Sequence, residues 1–274
     1  GKMSTFLNEQ LKVGEELEVM QPVGNFLIEN VLTNNVAFAA GSGITPILSM
    51  IKTVLKAGGN FTLFYGNKTA SETIFKPQLD DLEAQFPNQF NLHYIYSRSN
   101  ENQTLYSGRL DKEKALNLLK ENTSLLKSDG FYLCGPEEMI FNISDALKEA
   151  GVSEGKVHFE LFTVPTIKSA ESTPVISDFS GESEVTVIMD GDDFEFSLPS
   201  DGDYVLDAAI ENGADAPFSC KGAVCCTCKA QVIEGKATMD MNYALSEEEV
   251  EEGFILTCQA RPASAKLVVD YDVI

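Results

Sequence analysis

The sequence is short of positive charge. Lys and Arg number 20 against 42 Asp and Glu, a formal net charge of −22. A surface of that sign repels nucleic acid and anionic lipid, so neither is expected as a partner. No apolar run approaches the ~18–20 residues a membrane-spanning helix needs. The N-terminus lacks the basic-then-apolar pattern of a secretion signal, and the expected location is cytoplasmic. There is no internal repeat. Only two histidines occur, His93 and His158, and neither has ligand spacing around it, so both read as structural. Apolar content is not lacking: at 43% hydrophobic and 23% charged, a disordered or low-complexity chain is excluded.

What is present fits two domains in 274 residues. Each is large enough to bury a core without disulfides. The acid is uneven: from Ser183 onward there are 19 acidic and 5 basic residues, which marks the C-terminal third as a separate acidic unit. An apolar run, Val36–Ala40, reads as a buried strand. After it, Ile44, Ile47, Leu48, Ile51 and Leu55 recur at helical spacing up to Gly58-Gly59. Strands at 61–65, 91–96, 130–134 and 157–162 alternate with helices at 77–86, 111–120 and 136–150. That order predicts an α/β unit, a parallel sheet with crossover helices. Residues 165–182, rich in Ser, Thr and Pro, read as a linker. Beyond it, strands at 184–189 and 194–198 around Asp190-Gly191 form a hairpin, followed by a helix at 204–211 and a last strand at 266–271. This second unit is a small α+β domain. Residues 1–29 look like the end of a β-rich unit. The chain opens Gly1-Lys2-Met3, which suggests a fragment boundary.

Of six cysteines, five lie in the last 55 residues. Without a secretion signal they read as metal ligands rather than disulfides. Cys220-x4-Cys225-x2-Cys228, with 29 residues between it and Cys258, has the spacing of a plant-type [2Fe–2S] site. One tight loop supplies three thiolates and a second segment the fourth. The small Ser219, Gly222, Ala223 and Thr227 let backbone N–H groups approach the sulfurs. A zinc site is the competing assignment, but zinc usually takes two separate knuckles. Cys226, the spare thiol, reads as a small buried neighbour.

Gly41-Ser42-Gly43-Ile44-Thr45-Pro46 joins a strand to a helix. Its glycines let backbone approach a pyrophosphate, and the helix N-terminus favours the negative charge. The third glycine of the dinucleotide fingerprint is absent, and a purely structural turn would look similar. Cys134-Gly135-Pro136 ends another strand of the same sheet, at the edge where ligands of such sheets bind.

Gly41–Pro46, Cys134–Pro136 and His158-Phe159-Glu160-Leu161-Phe162 resemble the nucleotide-binding half of the ferredoxin–NADP reductase superfamily. Together with the cysteine loop, Asn242-Tyr243-Ala244-Leu245 and Phe254–Ala260, they resemble the reductase components of multicomponent oxygenases, most nearly those of phenylacetate degradation. The resemblance covers nearly the whole chain. It implies a parallel-sheet nucleotide domain at 30–164, a β-grasp [2Fe–2S] ferredoxin domain at 183–274, and residues 1–29 as the remnant of an FAD-binding barrel. It places Gly1, Ser4 and Thr5 at the FAD pyrophosphate. The upstream Arg-x-Tyr-Ser flavin motif is absent, so FAD is implied for the intact protein rather than for this stretch alone. Ser97-Arg98 resembles the pair that holds the 2′-phosphate of NADPH, with Lys68 and Arg109 as helpers, which favours NADPH over NADH. Thr45 and Cys134 would position the nicotinamide. The implied activity is electron transfer from NADPH through FAD to the cluster and on to an oxygenase. That partner is expected to bring a basic patch to an exposed edge at Lys221–Val224. The competing expectations are a flavin-free electron carrier, a nucleotide-binding module without reductase activity, and a zinc-stabilised domain.

Overall fold

The computed structural model describes residues 1–19, 24–28, 30–98, 105–163 and 178–273. Residues 165–177, most of the expected linker, lie outside the described residues. The opening departs from the β-rich expectation. Helix α1 (Lys2–Thr5) continues into a wider turn at Phe6–Gln10, and residues 11–19 join no strand. The local reason is visible at the first residue, where the Ser4 hydroxyl donates to the Gly1 carbonyl at 2.9 Å and closes the first turn. Strand-forming residues gain stability only from a paired ladder and a covered face, and Leu7, Val13, Leu17 and Val19 stay exposed.

The first sheet follows the predicted alternation. It runs β1 (Asn34–Ala40), α2 (Ile44–Ala57), β2 (Asn60–Asn67), α3 (Lys76–Gln85), β3 (Phe90–Tyr96), α4 (Lys112–Glu121), β4 (Gly130–Cys134), α5 (Glu137–Glu149) and β5 (Val157–Glu160). The strand order is β3-β2-β1-β4-β5, all parallel. Helix α2 shows why the sequence folds this way. Its 3–4 periodicity buries Ile44, Ile47, Leu48, Ile51, Val54 and Leu55 on one stripe, each worth roughly 1.5–3 kcal/mol of transfer free energy. It ends where Gly58 turns left-handed at φ 98°. Two cores result. One face carries α2 and α3 over Ala37, Phe61 and Leu63, and the other carries α4 and α5 over Val36, Phe38 and Phe131. The chain reverses its direction of growth between β1 and β4, so the crevice for a ligand opens there.

The second sheet contains β6 (Glu182–Met189), β7 (Asp192–Pro199), β8 (Lys229–Met239), β9 (Phe254–Leu256) and β10 (Ala260–Asp270), with α6 (Val205–Glu211) and α7 (Glu247–Glu251). The order is β7-β6-β10-β8-β9. β6 pairs parallel with β10, and the remaining pairs are antiparallel. The β6–β7 turn has Asp190 and Gly191 both at positive φ, as a two-residue hairpin requires. The Asp272 carboxylate accepts both of their N–H groups, at 2.8 and 2.9 Å. β10 starts six residues earlier than expected and so begins two residues after Cys258. β5 ends two residues early, at Glu160. No helix among the described residues is long and apolar enough to cross a membrane.

Candidate functional site

The two nucleotide motifs form one unit. Gly41 leaves β1 at φ 54°, and the Tyr65 hydroxyl donates to its carbonyl at 3.0 Å. Gly43 lies so close to the end of β4 that a Cβ there would sit 2.1 Å from the Cys134 carbonyl oxygen. A Cβ on Gly135 would sit 2.8 Å from Met139 and 3.1 Å from the Ala40 nitrogen. Both glycines are therefore required by contact between the β1 and β4 loops, at the point where the crevice opens. The cleft beside them has a volume of about 800 Å³. Gly41, Ser42, Gly135 and Pro136 line it, together with Lys68, Ser97 and Arg109.

The remaining sequence-selected residues fall around this cleft in different ways. Thr45 is exposed on the first turn of α2, its hydroxyl donating to the Ser42 carbonyl at 3.0 Å. Pro46 is half-buried beside it. Neither Thr45 nor Pro46 lines the cleft. Arg98 is exposed outside the lining, and its backbone N–H donates to the Lys68 carbonyl at 3.0 Å. Lys68 and Arg109, expected only as helpers, are the cations in the wall. Cys134 is fully buried. Burial, then the neighbouring Glu160 charge, push its thiol up to about 12. It is a neutral, packed thiol at neutral pH, unsuited to covalent chemistry.

Two residues were not picked out as site residues. Glu160 pairs with Cys134 across β4–β5, and burial raises its carboxyl above the usual range. Its signal was its place in the His158–Phe162 stretch. Tyr65, which props the Gly41 loop, carries no local signal, because its hydroxyl works across 24 positions of sequence.

Gly1, just before α1, and Ser4 and Thr5 on it are exposed and are not among the residues lining the nucleotide cleft. Ser4 is occupied with Gly1, accepting from the terminal ammonium at 3.0 Å. These residues form no cradle and do not fit a flavin by themselves.

The cysteines converge from two places. β8 opens right after Cys228, and the short turn after β9 carries Cys258. The Thr257 hydroxyl and N–H both donate to the Cys228 carbonyl, at 2.9 and 3.1 Å, which locks the two segments together. The loop between Cys220 and Cys228 is sharply bent, with Lys221, Ala223 and Cys226 all left-handed at φ 49°, 63° and 53°. Such backbone turns N–H groups inward into an anion-binding concavity. Gly222 N–H donates to Cys220 Sγ at 3.3 Å.

The thiols interact in pairs, Cys220 with Cys225 and Cys228 with Cys258. Hydrogen bonding within the second pair pushes Cys228 up and Cys258 down to about 6. At Cys225 burial opposes ionisation, but the Thr227 hydroxyl and backbone N–H groups outweigh it and lower the thiol. Among the described residues, no three His, Cys, Asp or Glu surround one point as a lone zinc ion would require. Two thiol pairs beside inward N–H groups suit two irons and an anionic cluster, so Cys220, Cys225, Cys228 and Cys258 fit a [2Fe–2S] group. Cys226 is buried in the domain core and pushed up to about 11 by burial, a neutral packing residue.

One expectation is corrected. Of Lys221–Val224, only Lys221 is exposed; Gly222, Ala223 and Val224 are buried. Ala223 packs into the ferredoxin core, while Val224, 8% exposed, packs into the α4–α5 core of the nucleotide-binding domain. The exposed neighbours of the cluster loop are Phe218 and Ser219 instead. Lys221 Nζ sits 4.4 Å from the Phe218 ring centre and pairs with Asp207 at 2.5 Å.

Comparison with known proteins gives the same two units. An oxidoreductase NAD-binding domain model matches residues 38–145, and a 2Fe-2S iron-sulfur cluster binding domain model matches 187–263. One of the subunits of the 1,2-phenylacetyl-CoA epoxidase of Escherichia coli is 39% identical over 99% of this chain and 77% of its own length. The ferredoxin reductase component of 3-ketosteroid-9-alpha-monooxygenase from Mycobacterium tuberculosis is 32% identical over 99% of this chain and 73% of its own. An intact type IV self-sufficient cytochrome P450 monooxygenase shares the fold over 97% of this chain and 31% of its own, with a TM-score of 0.63 at 22% identity. The chain belongs to the oxygenase reductase components, oxidoreductases in which a ferredoxin–NADP-reductase-like nucleotide-binding domain is joined to a 2Fe-2S ferredoxin domain.

Proposed function

We propose that this chain takes electrons from NADPH and delivers them to an oxygenase, with phenylacetate or another aromatic compound as the ultimate substrate. The observation that carries the reading is a nucleotide cleft at the β1–β4 switch point in the same chain as a paired four-cysteine site. The N–H groups of Gly41–Gly43 and the start of α2 receive the pyrophosphate. Gly135 and Pro136 form the floor. Lys68 and Arg109, with Ser97 and Arg98 beside them, take a 2′-phosphate, which favours NADPH over NADH. Thr45 and Cys134 are assigned to the nicotinamide by resemblance alone; with Thr45 outside the lining and Cys134 fully buried, they act by shaping the loops beside it and not by bond formation. Cys220, Cys225, Cys228 and Cys258 hold a [2Fe–2S] group, which supplies one-electron transfer when bound.

Hydride carries two electrons and the cluster takes one at a time, so the intact protein needs a flavin between them. Gly1, Ser4 and Thr5 are assigned to FAD by resemblance alone. We read 1–29 as the remnant of the flavin barrel, 30–164 as the nucleotide domain, 165–182 as the linker and 183–274 as the ferredoxin domain. The acidic second domain suits an oxygenase with a basic docking patch, in the cytoplasm. A flavin-free electron carrier is the second reading, favoured by the exposed α1 and its lack of a cradle.

The test is an anaerobic visible spectrum of the purified chain before and after NADPH. Cluster and flavin bands that both bleach support the reductase. Cluster bands that NADPH leaves unchanged support the carrier, and zinc without acid-labile sulfide overturns both.

A further inference from the structure

The turn Asn242–Leu245 belongs to neither site, yet it touches parts of both domains. Asn242 Oδ1 accepts the N–H groups of Ala244 and Leu245 at 3.2 and 2.9 Å, and its Nδ2 donates to the Leu245 carbonyl at 3.0 Å, which makes the turn rigid. The Tyr243 N–H donates to the Ala223 carbonyl, inside the cysteine loop, at 3.1 Å. The Tyr243 ring packs against the ferredoxin core and also against the α4–α5 core of the nucleotide domain. Val224 and Cys220 from the same loop join that second core.

A polar latch lies beside this apolar wedge. Asn25 Nδ2, which precedes β1, donates to the Ala244 carbonyl at 3.0 Å and to Glu249 Oε2 at 2.6 Å. Glu249 is mostly buried. It also accepts from Lys229 at 2.9 Å, next to Cys228, and from the Ser246 N–H at 2.9 Å. One carboxylate thus ties the segment before β1, the start of β8 and the start of α7 to one point.

We propose that Asn242–Leu245 is an internal docking element. It presses the covered side of the cysteine loop, through Cys220 and Val224, onto the nucleotide-binding domain, with Tyr243 as wedge and Asn25–Glu249 as latch. Resting on the electron-transfer reading above, this holds the cluster loop at one fixed place against the domain that binds the nucleotide. The exposed Phe218, Ser219 and Lys221 mark the side from which electrons leave the cluster loop, and Tyr243 and Glu249 are positioning residues rather than cluster ligands.

Small-angle scattering on the full chain tests this with two variants. Tyr243→Ser removes the wedge. Asn25→Asp sets a carboxylate against Glu249 and the Ala244 carbonyl without altering either domain core. A compact chain of 274 residues has a radius of gyration of about 19 Å. Both variants are expected to raise the wild-type value by at least a tenth at low salt while keeping the cluster spectrum. Asn25→Asp should return to the wild-type value near 1 M salt, where screening shortens to about 3 Å. An unchanged radius in Asn25→Asp, or a rise only where the cluster spectrum is lost, overturns the proposal. If Tyr243→Ser fails to fold, Asn25→Asp and its salt reversal decide. Missing cluster bands in the wild-type chain would sink the electron-transfer reading, whereas the scattering result judges the docking element separately.

Discussion

The two ligand loops solve the same problem in opposite ways. The nucleotide loop turns left-handed at Gly41 and crosses β4 at Gly43 and Gly135, residues with no Cβ to collide. The cysteine loop turns left-handed three times on residues that do carry one, Lys221, Ala223 and Cys226. Left-handed backbone costs about 1–2 kcal/mol per non-glycine residue. The first loop is therefore relaxed and ready before any ligand arrives. The second holds strain that a bound cluster must offset, with Thr257 and the Tyr243–Ala223 bond keeping it closed.

The largest test of this contrast removes the cluster from one side only. Cys258→Ser should abolish the visible cluster bands and lower the melting temperature of the ferredoxin domain, with the nucleotide domain unchanged by calorimetry. Cys226→Ser should keep the bands, because that thiol is neutral and packed in the core. Equal loss in both variants would show that Cys226 shares the ligand role. Gly43→Ala comes next and strikes the relaxed loop. Its Cβ would meet backbone at 2.1 Å, and relief needs movement of the β4 end, so a cost of about 3 kcal/mol or more is expected, in the upper tail for single substitutions. NADPH affinity should fall at least tenfold in the same variant. Tight nucleotide binding in Gly43→Ala would show that the two loops do not act as a unit. A smaller effect belongs to the cations of the cleft. Lys68→Ala with Arg109→Ala should weaken NADPH by about tenfold, roughly 1.4 kcal/mol, and leave NADH within a factor of two. Equal losses for both nucleotides would remove the 2′-phosphate role.

The alternation of strands and helices was readable because the periods of 2 and 3.6 are local. The cysteine assignment was readable because cluster ligation fixes spacing along the chain. What escaped was non-local. The burial of Val224 depends on a surface contributed by α4 and α5, about a hundred residues earlier. Tyr65 acts on Gly41 through a side chain two strands' length away in sequence. Lys68 and Arg109 could be named as cations, but only the fold shows that they, and not Arg98, line the cleft. The helical opening escaped for another reason: its alternating apolar residues suit a strand, but no neighbouring strand pairs with them among the described residues.

The finest test asks whether the cysteine loop is strained at all, and two glycine substitutions separate strain from packing. Lys221→Gly and Ala223→Gly relieve the same left-handed cost of about 1–2 kcal/mol. Both add unfolded-state entropy worth about 0.4–1 kcal/mol. Ala223 is almost fully buried in the domain core, so losing its methyl costs a further ~0.8 kcal/mol, and the net change should lie near zero. Lys221 is exposed, and its pair with Asp207 is a surface contact worth about 0–1 kcal/mol. Lys221→Gly should therefore stabilise the cluster-free chain slightly, by less than about 1 kcal/mol, and more than Ala223→Gly does. Urea unfolding of the two cluster-free variants reads the difference. If Ala223→Gly is the more stable, packing does not oppose the turn as its burial implies. If both variants are less stable than wild type, the loop is relaxed without its cluster, and the contrast with the nucleotide loop disappears.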